Sequence, residues 1–323
     1  MFKFRRYSKN DEAVWDKFVS DSNNGTIFHL RKFLNYHSKD KFVDHSILIS
    51  KNKKLFSVFP AAERVVSNQK FLVSHPGSSV GSFVIPENLS IANSIELVSQ
   101  IKNYAKKSNF NGIQITLPPN LYQKRLSNYM DFAFFRGGFI YKKREITSIL
   151  FLENNIETTL KKFRPSHRRA VKTAQSKGVI VRESEKYDEY YKILQKNLSK
   201  RHGVNPTHTL RELKKLKTIF KDKVKLFSAF IDGKMIAGIV NFIINDQVVL
   251  AFYISHDELY NQYRPLNILF YEVFSWAIES KYKVYDFGIF TVNEEPNMGL
   301  GRFKENFGAS GIFRDTIELN LNK

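Results

Sequence analysis

The sequence predicts an α/β (α+β) protein of two tandem units, each a mixed, mostly antiparallel central sheet flanked by helices. Three observations carry this. The length of 323 residues suits about two domains of roughly 150 residues. Apolar residues alternate with period two in some segments and with period 3.6 in others along the whole chain. The order of those segments is shared by the two halves: strand, two helices, three antiparallel strands, helix, strand, helix, strand.

In the first half, Phe2–Tyr7 alternates as a strand, and Asp11–Ser20 puts Val14, Trp15, Phe18 and Val19 on one helical side. Phe28–His37 is a second helix candidate. Ser46–Ser50, Leu55–Val65 and Lys70–Ser74 read as successive strands, with a hairpin turn at Asn52-Lys53. After the Gly/Ser/Pro loop 75–81, Ser90 is placed to cap a helix that runs to Lys107. Gly112–Leu117 is a buried strand closed by Pro118-Pro119, and Leu121–Tyr129 a short helix.

The second half opens with strand Ile146–Leu152. Helices follow at Ile156–Lys162 and Pro165–Lys177, where Pro165 suits a first turn. Val179–Arg182 is a strand; Tyr187–Arg201 and Leu210–Phe220 are helices, the former ending near His202-Gly203. Lys225–Ile231 and Met235–Ile244 form a hairpin through Asp232-Gly233, and Gln247–Ser255 extends the sheet. Leu266–Ser280 is a long helix, Val284–Phe287 a central strand and Phe313–Leu319 an edge or pairing strand. The boundary falls near Arg136-Gly137-Gly138, giving domains 1–140 and 141–323.

Composition narrows the function classes. A 42% hydrophobic and 14% aromatic content is that of a folded chain. The absence of cysteine excludes disulfides, thiolate nucleophiles and cysteine metal sites, and the histidines His29, His75, His167, His202 and His208 lack shared metal-ligand spacing, so no metal is expected. No apolar run reaches the roughly 20 residues of a membrane-spanning helix. Met1–Trp15 carries no secretory apolar core, so the expected location is the cytoplasm. With 51 Lys and Arg against 31 Asp and Glu, the net charge is +20, which attracts nucleic acid, anionic membrane surfaces and pyrophosphate-bearing substrates.

Two constellations carry candidate chemistry. Tyr285-Asp286-Phe287-Gly288-Ile289-Phe290, followed by Asn297-Met298-Gly299-Leu300-Gly301-Arg302-Phe303-Lys304-Glu305-Asn306-Phe307-Gly308, reads as a buried strand, a loop and a helix start. It delivers Lys304 beside Phe303 and Phe307, which share a helix face. Lys304 either snorkels off an ordinary helix or is a partly desolvated ammonium that stabilises negative charge in acyl transfer. Asp286 either satisfies loop N–H groups, or accepts a hydrogen bond from an attacking amine or orients Lys304. Tyr253 and Tyr285 either pack or line the same cleft, and Asn297 can cap the helix carrying Lys304. The second constellation holds Lys161, Lys162, Arg164, Arg168, Arg169, Lys172 and Lys177 without an acid among them. Such a ridge is either a solvated face or a grip for phosphates, to which arginine's planar fork is suited. Arg264, just before the long helix, is a further candidate for substrate binding.

The phrases "FRPSHRRAVKTAQSKGV" (163–179), "YRPLNILFYEVFSWAIESKYKVYDFG" (263–288) and "YDFGIF…NMGLGRFKENFGA" (285–309) occur in the order found in the Fem-type peptidyltransferases. They also resemble those enzymes' relatives among the GNAT-like acyltransferases of cell-envelope, peptidoglycan and polysaccharide biosynthesis. The shared element order is that of a GNAT unit. The resemblance covers much of 145–323; the first half matches loosely through "IFHLRKFLNYH" and "FLVSHPGSSVGSFV". It implies two tandem GNAT-like domains, the first degenerate and contributing to acceptor binding, the second catalytic.

By the same resemblance, an amino group on a nucleotide- or lipid-linked envelope precursor attacks an activated acyl carbonyl. Lys304 would meet the oxyanion, Asp286 the amine, and Arg164, Arg168 and Arg169 the substrate phosphates. The donor would be a co-substrate, aminoacyl-tRNA or acyl-CoA, with no permanently bound cofactor. Acetyl-CoA-dependent GNAT enzymes place a glycine-rich loop before the long helix; here that segment is Tyr263-Arg264-Pro265-Leu266-Asn267, which favours aminoacyl-tRNA. An acyl-CoA-dependent sugar N-acyltransferase and a non-catalytic RNA-binding protein are the alternatives, and contact with an anionic membrane surface is a further expectation.

Overall fold

A computed structural model describes residues 1–38, 41–202 and 204–322, without the side chains of residues 201 and 202. The chain divides into two compact units, residues 1–145 with 313–323, and residues 146–312. This differs from the expected division at 140/141. The last strand turns back to the first unit, pairing antiparallel with strand Gly112–Thr116 from Thr316↔Thr116 to Asn320↔Gly112.

The first unit begins with β1 (Phe2–Arg6), α1 (Glu12–Asp21) and the four-residue α2 (Arg31–Leu34). Strands β2 (Val43–Asp44), β3 (Ile47–Lys51), β4 (Lys54–Phe59), β5 (Ala61–Val66) and β6 (Gln69–Ser74) follow. Then come α3 (Ile91–Lys107), β7 (Gly112–Thr116), α4 (Tyr129–Arg136) and β8 (Ile140–Phe151). β1, β3 and β4 form one antiparallel sheet. A second runs β2-β5-β6-β7 and on to the C-terminal strand Ser310–Asn320. In it β6 and β7 are parallel over Phe71–Val73 and Gly112–Gln114. Leu97, Val98 and Ile101 of α3 close over Leu72, Ile113, Ile115 and Ile317.

Three local expectations change. Leu55–Val65 breaks at Pro60, which has no N–H for a ladder, so β4 and β5 serve different sheets. The helix expected at Phe28–His37 becomes a 3-10 turn, Ile27–His29, and α2, because the His29 ring captures the backbone N–H of Thr26 at 3.1 Å. The helix expected at Leu121–Tyr129 is a 3-10 turn, Asn120–Tyr122; the Gln123 amide, bonded to Asn120, Ser127 and Asn23, holds the chain in a loop. The helix begins only at Tyr129.

The second unit holds α5 (Ile156–Lys161), α6 (Pro165–Ser176), β9 (Ile180–Glu183), α7 (Tyr187–His202) and α8 (Leu210–Ile219). It continues with β10 (Val224–Ile231), β11 (Lys234–Ile243), β12 (Val248–His256), α9 (Pro265–Glu279) and β13 (Val284–Ile289). The small ribbon β14 (Thr291–Val292) and β15 (Glu295–Pro296) leads to α10 (Met298–Glu305). The helix end expected at Gly203 lies outside the described residues. Asp232 and Gly233 turn the β10–β11 hairpin with φ of 49° and 77°. The sheet runs β8-β13-β12-β11-β10-β9, antiparallel throughout except for the β13–β12 pair. α9 lays Leu269, Phe270, Val273 and Phe274 on Tyr285, Phe287 and Phe307 in one core.

In the first unit, His29 and His75 are buried and neutral, burial lowering each to a pKa of about 4. Their ordinary value is about 6.5, so the unfolded chain binds their protons first as pH falls. Their contribution is complete above pH ~6.5 and is lost as pH falls towards 4. We expect unfolding at pH 5 to take up about two protons, read from the slope of denaturant stability against pH between 6.5 and 5. A flat profile there would contradict the neutral, buried assignment.

Candidate active site

The site is built where β12 and β13 part. Their parallel pairing covers Val248–Leu250 and Val284–Asp286; beyond it, among the described residues, β12 is paired on its β11 side alone. β11 and β12 also slip by one residue, Val240 facing Tyr253 and Asn241 facing Ala251. Phe252 is therefore the extra residue of a bulge, outside the ladder. Gly288 makes the parting possible. Its φ of +77° turns β13 away, and a Cβ there would lie 3.6 Å from the Ala251 carbonyl oxygen. Left-handed backbone of this kind strains an L-residue by about 1–2 kcal/mol.

Two buried charges grip that glycine. Asp286, fully buried, accepts from the Gly288 N–H at 2.7 Å and from the Thr147 hydroxyl. Lys304, 1% exposed, donates from Nζ to the Gly288 carbonyl at 2.6 Å and the Ile289 carbonyl at 2.9 Å. The Lys304 ammonium lies 5.8 Å from the centroid of Phe290.

α10 is aimed by its ends. Asn297 caps it, accepting from the Leu300 N–H at 2.9 Å. Gly308 closes it with φ of +86°, in a space where a Cβ would meet the Lys162 Cβ at 2.6 Å. Phe303 is half-buried, with ring centroids 5.1 Å from Phe307 and 6.0 Å from Phe270. This packing fixes the helix rotation that sends the neighbouring Lys304 inward.

The basic segment is split by the fold. Val171 and Ala174 face the core as expected. Arg164, however, is the N-cap of α6, its backbone N–H bonded to the Asn306 carbonyl at 2.9 Å, so the helical ridge starts at Arg168. Arg168 Nη1 bonds the Lys161 carbonyl at 3.1 Å. Arg164, Arg169 and Arg264 are exposed. Arg264 is the N-cap of α9 with φ of 52°. His167, half-buried with its ring 4.8 Å from Phe307, lies close enough to Arg164 and Arg264 that burial and their charges lower its pKa.

Two expected roles give way. Tyr285 is fully buried and donates to Asn241 Oδ1 at 2.7 Å, so it packs the core and lines no cleft. Asp286 is likewise enclosed, and its bonds to Thr147 and Gly288 make it a structural carboxylate in place of an amine-orienting group. Tyr253 is half-buried on β12, its hydroxyl 2.8 Å from His208 Nδ1 and accepting from the His208 N–H at 3.1 Å; burial raises it to about 12. Thr147, Gly288, His208 and the Phe252 bulge are the participants that spacing did not single out. The Asp-Phe-Gly run did signal a turn in which an aspartate accepts from the N–H two residues on. Among the described residues no three potential metal ligands gather, and no helix is long and apolar enough to cross a membrane.

A sheet with one short parallel pair, parted and bulged at its middle, is the architecture of a GNAT domain. Residues 161–305 match the family described as Acetyltransferase (GNAT) domain, so the second unit carries that domain and the chain is an acyltransferase. Over its whole length the fold is that of Fem-like, tandem GNAT proteins. It is similar to the crystal structure of FemX, with a TM-score of 0.76 and 14% identity over 99% of this chain and 98% of that one. It is similar to the C-terminal domain of a putative lysylphosphatidylglycerol synthetase from Agrobacterium fabrum, with a TM-score of 0.61 and 10% identity over 96% and 92% of the two chains. It is also similar to a tandem GNAT protein from the clavulanic acid biosynthesis pathway, with a TM-score of 0.55 and 10% identity over 99% of each. No curated protein matches the sequence.

Removing the Lys304 ammonium leaves two inward carbonyls without this donor. We expect Lys304→Ala to lose about 1–3 kcal/mol of stability in denaturant unfolding. Asp286→Asn, which keeps an acceptor for the Gly288 N–H, should fold and keep acyl transfer within about tenfold, whereas a general base at this position would cost about 10²–10⁴-fold.

Proposed function

We propose that this acyltransferase moves an aminoacyl or acyl group onto an amino group of a nucleotide- or lipid-linked cell-envelope precursor, with aminoacyl-tRNA as the donor. The observation that carries the choice of donor is the start of α9. A helix N-terminus grips pyrophosphate through free N–H groups. In this one Pro265 has no N–H, the Asn267 N–H is bonded to the Arg264 carbonyl at 3.1 Å, and Arg264 occupies the turn in left-handed conformation. The cradle that acyl-CoA would use is thus reduced to a single peptide.

The chemistry follows from the parted strands. The acceptor amine attacks the acyl ester carbon, a C–N bond forms, the C–O bond to the ribose breaks, and the amine's proton leaves with the ribose oxygen. Negative charge gathers on the carbonyl oxygen in between. Two features favour it there: the open peptide edge of β12 beyond Leu250, bulged at Phe252, and the fixed positive charge of Lys304 at the end of β13. Both are held in place before substrate arrives, so little reorganisation is needed. Arg164, Arg168, Arg169 and Arg264 hold substrate phosphates at the rim, with Tyr253 on the wall. The first unit contributes to binding the acceptor.

Lys304→Ala should lower kcat by about 10²–10³-fold, measured in single turnovers with charged tRNA and an amino-bearing envelope precursor, with donor affinity little changed. Arg164→Ala and Arg264→Ala should instead raise KM. Calorimetry separates the donors: heat with charged tRNA and none with acetyl-CoA supports the reading. The reverse would make the protein an acyl-CoA-dependent sugar N-acyltransferase, and unchanged turnover without Lys304 would remove the catalytic role.

A further inference from the structure

One face of the first unit is exposed among the described residues and has the chemistry of a lipid interface. α4 is apolar on two sides. Met130, Ala133 and Phe134 are buried in the core. Tyr129 and Phe132, one turn apart on the other side, point outwards. With Leu126 before the helix and Ile140 after it they form a strip of four large apolar side chains, each 45% to 65% exposed. A recess flanks each end of the strip. Leu126 and Tyr129 line one recess of about 180 Å³. Gly137 and Ile140 line another of about 390 Å³, shared with Lys102 and Lys106 of α3. Isolated exposed apolar residues are ordinary, but a contiguous strip marks an interaction surface.

The rim identifies the partner. Arg125 borders the first recess, Lys106 the second, and Arg136 ends α4 on the same face as Tyr129 and Phe132. Among the described residues none of these three cations has a hydrogen-bonded or ion-paired side-chain partner. Lys102 reaches the Gly137 carbonyl at 2.6 Å, tying α3 to the end of α4. The acids nearby are few: Glu87 stands in the first recess, Asp131 on α4 is half-buried with its pKa raised by burial, and Glu318 in the second is neutralised by Lys142. Aromatic side chains between cations are what a headgroup layer accommodates, the rings at the acyl boundary and the cations among lipid phosphates. A second copy of this chain would bring the same unpaired cations into opposition, and RNA would have no use for Leu126 or Ile140.

We infer that the α4 face, from Leu126 to Ile140, docks the protein on an anionic membrane surface. The inference stands apart from the catalytic reading, since none of these residues belongs to that site.

Co-sedimentation of the full chain with vesicles of equimolar phosphatidylglycerol and phosphatidylcholine tests it. Phe132→Ser with Tyr129→Ser should weaken binding by at least about tenfold. Arg125→Glu with Arg136→Glu should do so too, and pure phosphatidylcholine vesicles should bind far less than the mixed ones. Raised salt should release the wild type. All four side chains being outward, the variants should keep the wild-type melting temperature, and a variant that melts early is replaced by Leu126→Ser with Ile140→Ser. Binding that survives both double substitutions would overturn the inference. So would equal binding to neutral vesicles, or an effect of these substitutions on self-association or tRNA retention with vesicle binding intact.

Discussion

Everything distinctive in the second unit depends on how the backbone of one residue is held. Gly288 sits where a β-strand must leave its parallel neighbour, and its N–H and carbonyl are both claimed by ions, the carboxylate of Asp286 and the ammonium of Lys304. Charged hydrogen bonds are worth roughly twice neutral ones. Burying two ions is nevertheless costly unless each is fully satisfied. A fold that needed only a bend could use neutral groups. This one places a cation at the end of β13, where the edge of β12 becomes free.

That arrangement joins fold to chemistry. A parted pair of parallel strands offers backbone donors along an open edge; the buried ammonium adds a charge whose orientation is set by packing. Phe303, Phe307, Phe270 and Phe274 form the wall that turns α10 so that residue 304 points inward. The catalytic reading and the core packing therefore involve the same helix rotation, and a change in the aromatic cluster would be felt at the ammonium.

Much of the fold was legible because apolar periodicity and turn chemistry agree. Asp232-Gly233, Ser90 and Asn297 each do what their local chemistry dictates. What escaped was decided by tertiary partners. The loop at Leu121–Tyr129 looks helical until Gln123 is seen bonding its neighbours, and the C-terminal strand's return to β7 has no local signal. At the site, residue type pointed to Lys304 and the arginines as candidates, but not to what they touch. Asp286 and Tyr285 were legible as buried polar groups on a core strand, yet only the positions of Thr147 and Asn241, far away in sequence, assign them structural work. The bulge at Phe252 arises from a register slip between strands and leaves no trace in composition.

The central claim is that the buried ammonium of Lys304 senses the acyl carbonyl. Isotope-edited NMR of that side chain, with a non-hydrolysable amide analogue of aminoacyl-adenosine added, tests it most directly. The account predicts that the Lys304 ammonium and the Gly288 amide signals shift together as the analogue saturates the site. Saturation of the site with both signals unmoved would contradict it.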